Sequence, residues 1–379
     1  MRMGRRCSSC LADLPGERLP FANVFADIPR ASAIFRRRRC VRGFGARITV
    51  PMSSKRPVSP GAEEILGQYF PVLDHGFVAL VDYMGTDECI ERAARVSYGY
   101  GTRKASLTRG LLRYLRRHLH TTPSEMLELK FHCCMPMFIA RQWIRHRAAN
   151  VNEYSGRYSL MPMLFYTPSA EQLQTQSRTN NQGRSGTPVS PEAYAESVQR
   201  WNQIRKLSRE AYEQMTAADM ARELARIDLP LSTYTQWYWK IDLHNFLHFL
   251  KLRVDRHAQW EIQEYGRVMA GMLKRVAPLS YEAWIDYDVC GARMSRMDLD
   301  AIRKLVSVKE GGLEGRGGSL SATELDELGL AKREIAELLA KLEPSQAPDF
   351  ELDLSSAKSA EWFGEEFQKA VPKLDKPPE

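Results

Sequence analysis

The run Arg145-His146-Arg147-Ala148-Ala149-Asn150-Val151-Asn152-Glu153-Tyr154-Ser155-Gly156-Arg157-Tyr158 packs three arginines, a histidine, a glutamate, two asparagines, a serine and two tyrosines into fourteen positions. Little of it is apolar, so core burial does not account for it. Rigid, planar donors at this density suit recognition of a phosphate, a carboxylate or a nucleobase edge. A solvated charged turn has the same composition, and on the residues alone the two readings stay open. Ser155 invites a nucleophilic reading, but a reactive serine needs a neighbouring base and an oxyanion hole. Neither is recognisable beside it, so Ser155 reads as a hydroxyl that positions a ligand.

A second block with chemical potential is Phe246-Leu247-His248-Phe249-Leu250-Lys251-Leu252-Arg253, followed by Asp255-Arg256-His257-Ala258-Gln259-Trp260-Glu261. Arg253 is permanently protonated and cannot be a general base, but it can stabilise negative charge growing on a bound ring. A cation closing a helix C-terminus would look the same. His244 and His248 lie four apart and share a helix face. No third ligand follows in a zinc-enzyme pattern, so no metal is assigned. Cys133 and Cys134 fall in a strand pattern and read as structural.

The elements that carry these groups follow from periodicity. Leu127, Leu129, Phe131 and Cys133 alternate with Glu128, Lys130, His132 and Cys134, which predicts a strand. Pro136 then opens a helix from Met137 to about Arg145, delivering the arginine-rich run at its end. Gln142 and Arg145, three apart, share its face. Leu231 to Ile241 predicts another strand, with Trp237 and Trp239 on one face and Gln236, Tyr238 and Lys240 on the other. Asp242 caps a helix Leu243–Leu252, and Asp255 caps the next, with Ile262, Tyr265, Met269, Met272 and Leu273 as its core stripe.

Upstream, Val72–Met84 predicts the first strand region. Asp87 caps a helix to about Val96, with Cys89, Ala93 and Val96 on one face. Leu107–His118 predicts a basic helix. His120-Thr121-Thr122-Pro123-Ser124-Glu125 looks like a helix start, which serves as a cap or as a phosphate site. Gln174–Val189 has no apolar period and reads as a mobile loop, either dispensable or a lid. Pro191–Met215 predicts a long helix with a stripe of Tyr194, Val198, Trp201, Ile204, Leu207 and Tyr212. Met220–Ile227 is a short helix, and Ala322–Leu342 a charged helical stretch.

The net charge of +8 suggests nucleic acid, but its placement argues otherwise. Residues 1–57 hold thirteen basic and three acidic side chains, a surplus of ten, leaving the remainder at −2. The body therefore has no electrostatic footprint for nucleic acid. Seven cysteines, an odd number, do not form a disulfide framework, and the chain reads as reduced and cytoplasmic. Cys7 and Cys10 lack a second pair for a zinc site. No apolar run suggests a membrane span. There is no repeat, no Gly-x-Gly-x-x-Gly fingerprint and no P-loop. Residues 1–60 are expected to be a disordered basic extension, or upstream sequence if Met52 is the start. Residues 61–290 would form the catalytic domain, and 291–379 a partly helical extension.

The arginine-rich run resembles the signature of the flavin-dependent thymidylate synthases, Arg-His-Arg-x-x-Ser-x-Asn-Glu-x-Ser-x-Arg-Tyr. Every fixed position matches except the first serine, which is Asn150 here. The resemblance extends from about Phe70 to about Tyr287 and includes the block around Arg253. It implies an α+β fold, a central and mostly antiparallel sheet flanked by helices, here with a small helical C-terminal appendage. It also implies reductive methylation of dUMP to dTMP, with 5,10-methylenetetrahydrofolate as carbon donor and NADPH-reduced FAD as hydride source, in a homotetramer with shared sites. By the same resemblance dUMP is held by Gln142, Arg145, Glu153, Ser155, Gly156, Arg157, Arg226 and Arg253, and Arg253 acts on the uracil ring. The flavin is held by Ser97, Thr122, Arg145, His146, Arg147, Glu153, Asp242, Leu243, His244 and His248. Two rival readings are a nucleotide-binding protein without turnover and an RNA-binding protein driven by the basic N-terminus.

Overall fold

The computed structural model describes residues 56–97, 108–178, 183–309, 312–344 and 346–373. Nearly all of the expected N-terminal extension, with Cys7, Cys10 and Met52, lies outside the described residues. The strands are β1 (Tyr69–Val72), β2 (Gly76–Met84), β3 (Glu128–Pro136), β4 (Asn150–Glu153), β5 (Gln174–Gln176), β6 (Arg184–Pro188), β7 (Tyr234–Asp242), β8 (Val306–Lys309) and β9 (Gly312–Gly315). The main sheet runs β1-β2-β3-β7-β4 with every neighbour antiparallel. Two hairpins, β5–β6 and β8–β9, stand apart from it.

The helices are α1 (Pro60–Glu63), α2 (Asp87–Arg95), α3 (Thr108–Arg117), α4 (Met137–Trp143), α5 (Pro191–Ala217), α6 (Arg222–Ala225), α7 (Leu243–Arg253), α8 (Trp260–Val276), α9 (Pro278–Trp284), α10 (Arg296–Leu305), α11 (Ala322–Glu327), α12 (Lys332–Leu342) and α13 (Ala360–Ala370). The fold is α+β as expected, a central antiparallel sheet flanked by helices.

Alternation decides which face of the sheet is covered. Leu129, Phe131, Cys133, Trp237, Trp239 and Ile241 point into one core, which α7 and α8 close with Phe246, Phe249, Ile262, Tyr265, Met269 and Met272. The expected α8 stripe is fully buried, since five apolar side chains at helical spacing must face the sheet. Trp143 locks α4 into this core, edge-on to Trp237 at 5.6 Å and Trp239 at 5.3 Å and stacked on Phe249 at 5.0 Å. That aromatic cluster fixes the place where the arginine-rich run leaves the body.

Several expected elements differ. The expected strand region Val72–Met84 holds β2 and the last residue of β1, the two pairing as a hairpin that reverses after Val72 through Leu73, whose φ is 62°. Asp87 does not cap its own helix. Its carboxylate accepts from the Leu279 and Ser280 amides at 2.8 and 3.0 Å and from Ser280 Oγ at 2.6 Å, capping α9. Burial raises its pKa, and those bonds oppose the shift. In α2 the buried position is Ile90, while Val96 is 79% exposed. Residues Thr122–Met126 form a single 3-10 turn, not the start of an α-helix.

Gln174–Val189 contains the β5–β6 hairpin, so it is not a structureless loop. Of the expected α5 stripe only Tyr212 is buried; Ile204 and Leu207 are 54% and 66% exposed. Asp255 turns back on His257 instead of capping α8, whose N-cap is Gln259. The charged stretch 322–342 is two helices, broken where Gly329 adopts φ 90°.

The end of the chain divides in two. Ala301, Leu325, Leu330, Ile335 and Leu338 form a separate small core for α10–α12. Residues 350–363 instead return to the body: Leu352 joins the main core, and Trp362 and Phe363 pack on the other face of the sheet over Tyr69 and Phe77.

Candidate active site

Two positions control the site, the exit from α4 and the end of α7. The helix α4 stops at Trp143, and His146 is the first side chain of the run to turn inward, 4.9 Å edge-on to Phe249. Arg253, the last residue of α7, donates from Nε to His146 Nε2 at 3.0 Å and from Nη2 to the Gln142 carbonyl at 3.5 Å. Around them lies a cavity of about 290 Å³, lined by Arg145, His146, Arg147, Asn245, His248 and Arg253 over an apolar floor of Ile241 and Leu252.

Its electrostatics follow from burial and from like charge. Burial, then the Arg253 guanidinium, then His248, pull His146 down to about 4. The imidazole is therefore neutral near pH 7 and accepts at Nε2. Burial also lowers Arg253 from the usual guanidinium range, although a guanidinium remains a cation. The Arg145 and Arg147 side chains make no hydrogen bond or ion pair among the described residues. Two unpaired cations beside a neutral imidazole form a site for an anionic ligand with ring donors and acceptors.

α7 begins as its sequence dictates. Asp242 caps it, accepting from the Asn245 amide at 3.0 Å and Asn245 Nδ2 at 2.7 Å. His244 Nδ1 is buried with no partner, a polar atom that a ligand could satisfy. Leu243 turns its side chain into the core and donates its N–H to the Leu127 carbonyl at 2.7 Å. Ser97, exposed just past α2, and Thr122, in the 3-10 turn, do not line this cavity.

The second group lies further along the run. β4 pairs with β7, placing Asn150 opposite Lys240 and Glu153 opposite Trp237. Glu153 accepts from Thr235 Oγ1 at 2.7 Å. The chain then turns through Ser155, whose Oγ accepts from the Arg157 amide at 3.3 Å. A Cβ on Gly156 would sit 2.7 Å from Met161 Sδ and 3.0 Å from Arg226 Cδ, so those two side chains would have to give way to any larger residue. Arg157 pairs with Glu223 at 2.8 Å, whereas the Arg226 guanidinium is unpaired among the described residues. No hydrogen bond or ion pair among the described residues joins Arg253 to Ser155, Arg157 or Arg226. The structure thus unites Gln142, Arg145, His146, Arg147, His248 and Arg253, and separately gathers Glu153, Ser155, Gly156, Arg157 and Arg226.

Sequence reasoning missed Asn245 and Gln259. Asn245, His248 and Leu252 recur at helical spacing, the signal that could have found Asn245. Gln259 accepts a hydrogen bond from Gln142 Nε2 and lines, with Gln174, Arg184, Arg256 and Trp260, a polar cleft of about 800 Å³ beneath the β5–β6 hairpin.

Comparison with known proteins fits this geometry. Residues 79–279 match the model of the family described as thymidylate synthase complementing protein. A flavin-dependent thymidylate synthase of Wolbachia pipientis is 47% identical over 291 residues, 77% of this chain and 98% of that protein. One from Ruegeria pomeroyi is 48% identical over 258 residues, 67% of this chain and 85% of that protein. Among solved structures, a UMP/dUMP methylase PolB of Streptomyces cacaoi bound with 5-Br UMP superposes with a TM-score of 0.52 at 30% identity, covering 58% of this chain and 98% of that one. Fold and comparisons together define a methyltransferase that uses a flavin. The chain belongs to the flavin-dependent thymidylate synthase family, and its activity is the synthesis of dTMP.

Proposed function

We propose that the protein methylates dUMP at C5, with 5,10-methylenetetrahydrofolate giving the carbon. Bound FAD, reduced by NADPH, supplies the hydride that side chains cannot provide. The observation that carries this reading is Arg253, half-buried and bonded to a neutral His146 in a cavity whose other wall is the unpaired Arg145. A desolvated, fixed guanidinium stabilises negative charge on a pyrimidine far better than one in water.

The flavin fits the residues present. Arg145 and Arg147 offer unpaired cations for its phosphates, and His146, His248 and the orphaned His244 Nδ1 offer polar edges for its rings. Asp242 holds the start of α7 and so sets where His244 and His248 face. Ser97 and Thr122 are proposed as outlying flavin contacts on resemblance alone. Gln142 and Glu153 are proposed to orient the nucleotide, and Ser155, Gly156, Arg157 and Arg226 to hold its phosphate. Arg226 is free to do so as it stands, and Arg157 must exchange Glu223 for the phosphate.

No hydrogen bond or ion pair among the described residues joins Arg253 to the Ser155 turn, and we propose that a second copy completes each site in a homotetramer. The exposed Ile204 and Leu207 on α5 offer apolar surface for such assembly. Residues 61–290 are proposed as the catalytic domain. The cytoplasm is the proposed location; among the described residues no helix is long and apolar enough to cross a membrane. The test is direct: purified protein should be yellow and should bleach faster with NADPH when dUMP is present. A colourless preparation that takes up no FAD would overturn the reading.

A further inference from the structure

The chain beyond the matched family region packs against residues on either side of the Ser155 turn. After Phe350 and Leu352 enter the main core, the Lys358 and Tyr69 backbones exchange bonds at 2.8 and 2.9 Å, which closes the β1 edge. α13 then crosses the outer face of the sheet. Its inward side chains recur at Trp362, Phe363, Phe367 and Ala370, while Glu361, Glu365, Glu366, Gln368 and Lys369 face solvent. Phe363 packs on Phe77 at 4.4 Å and Tyr69 at 5.9 Å. One turn on, Phe367 is 7% exposed and lies edge-on to Tyr154 at 5.4 Å. The Ala370 carbonyl accepts from the Met163 amide at 2.8 Å.

Tyr154 and Met163 bracket the turn that carries Ser155, Gly156 and Arg157. Tyr154 is further tied by its amide to the Gln236 carbonyl at 2.8 Å and by its hydroxyl to the Leu160 carbonyl at 2.6 Å. Three internal bonds curl the turn, from the Arg157 amide to Ser155 Oγ at 3.3 Å and from the Tyr158 and Ser159 amides to the Ser155 carbonyl at 3.1 and 3.0 Å, while its placement on the body depends on what holds its two ends.

We propose that α13 is a clamp that holds the Ser155–Arg157 turn in its nucleotide-binding shape, with Phe367 as a positioning residue acting through Tyr154. This rests on the reading above that the turn holds the phosphate of dUMP. Phe367 does not line the Arg253 cavity and packs on Tyr154, so its loss should act on nucleotide affinity and leave the flavin pocket intact. Placing a loop in its bound shape beforehand lowers the ordering cost of binding.

The test uses the full-length holoenzyme and measures dUMP binding by calorimetry, kcat, the flavin spectrum and the melting temperature. Phe367→Ala should weaken dUMP binding about fivefold, the scale of one lost aromatic pair, with kcat within about twofold and the flavin spectrum unchanged. Phe367→Leu keeps the apolar volume, remains folded if the alanine variant does not, and should show a smaller shift in the same direction. Phe363→Leu loosens α13 on the sheet and removes the Phe363–Phe367 contact at 5.2 Å, so the clamp predicts a loss of dUMP affinity here too. Unchanged dUMP affinity in both Phe367 variants, while the wild type binds dUMP, overturns the clamp. Wild-type protein that binds flavin but no dUMP overturns instead the reading on which the clamp rests.

Discussion

Arg253 Nε and His146 Nε2 lie 3.0 Å apart across 107 residues of sequence, joining the end of α7 to the exit of α4. A guanidinium N–H can only donate, so His146 must keep its Nε2 lone pair and carry its proton at Nδ1. Each residue orients the other, and the pair forms one wall of the cavity.

Replacing Arg253 tests its role in turnover. Arg253→Ala should lower kcat for dTMP formation about 100- to 1000-fold, the scale of losing one preorganised donor, with dUMP affinity falling by no more than about tenfold. Arg253→Lys should not restore turnover, because an ammonium lacks the planar fork that bonds His146 and the Gln142 carbonyl together. Single-turnover assays with prebound dUMP separate the two effects. An alanine variant with full turnover would remove Arg253 from the reaction.

The same pair sets a pH dependence of stability. His146 is held at about 4 in the folded protein, below the roughly 6.5 of an unfolded histidine. Between those values the unfolded chain binds a proton that the folded chain refuses. The stability contributed by the neutral imidazole is therefore complete above about pH 6.5 and is lost as pH falls toward 4. His132, lowered by its own burial, adds a loss of the same sign. Melting temperatures measured from pH 7 to 5 should fall more steeply for the wild type than for His146→Gln. Parallel curves would place the titration elsewhere.

Asp87 offers a prediction about stability alone. Three donors at the start of α9 converge on its carboxylate. Asp87→Ala should cost about 2–3 kcal/mol in urea unfolding, since it strips a helix cap and leaves buried N–H groups unpaired. Asp87→Asn should cost less, keeping one good acceptor. An alanine variant as stable as the wild type would show that water replaces the carboxylate.

What could be read in the sequence was what depends on near neighbours or on burial by pattern. The β3 strand and the α8 stripe are found as expected, although burial alternates along β3 only as far as Phe131, since His132 and Cys134 are buried on its other face. Asp87 looked like a cap and is one, but for a helix 192 residues later, which no local pattern encodes. The β5–β6 hairpin has no apolar alternation. Polar bonds hold it, including the Gly186 amide to Gln174 Oε1 at 3.0 Å and Thr175 to Ser185 at 2.6 Å, so a hydrophobic pattern could not reveal it. Leu243 was legible as the start of α7, and its side chain packs in the main core. The α5 stripe is legible as a periodicity, but Ile204 and Leu207 are more than half exposed.

The hairpin's attachment makes the last prediction. Arg184 on β6 forms an ion pair with Glu261, which is 2% exposed in the first turn of α8 and also accepts from the Tyr166 hydroxyl at 3.0 Å. Arg184 also donates to Gln172 Oε1 at 2.8 Å and stands 5.8 Å over the Trp260 ring. Without Arg184, Glu261 remains as a buried charge with one hydroxyl partner. Arg184→Ala should therefore cost about 3 kcal/mol, as breaking a buried pair by removing one partner does. Adding Glu261→Gln removes the stranded charge, so the double variant should recover part of that loss. The alternative, an attachment made by shape alone, predicts additive losses. A double-variant cycle in urea distinguishes them, and a coupling energy near zero would mean that the ion pair does not hold the hairpin against α8.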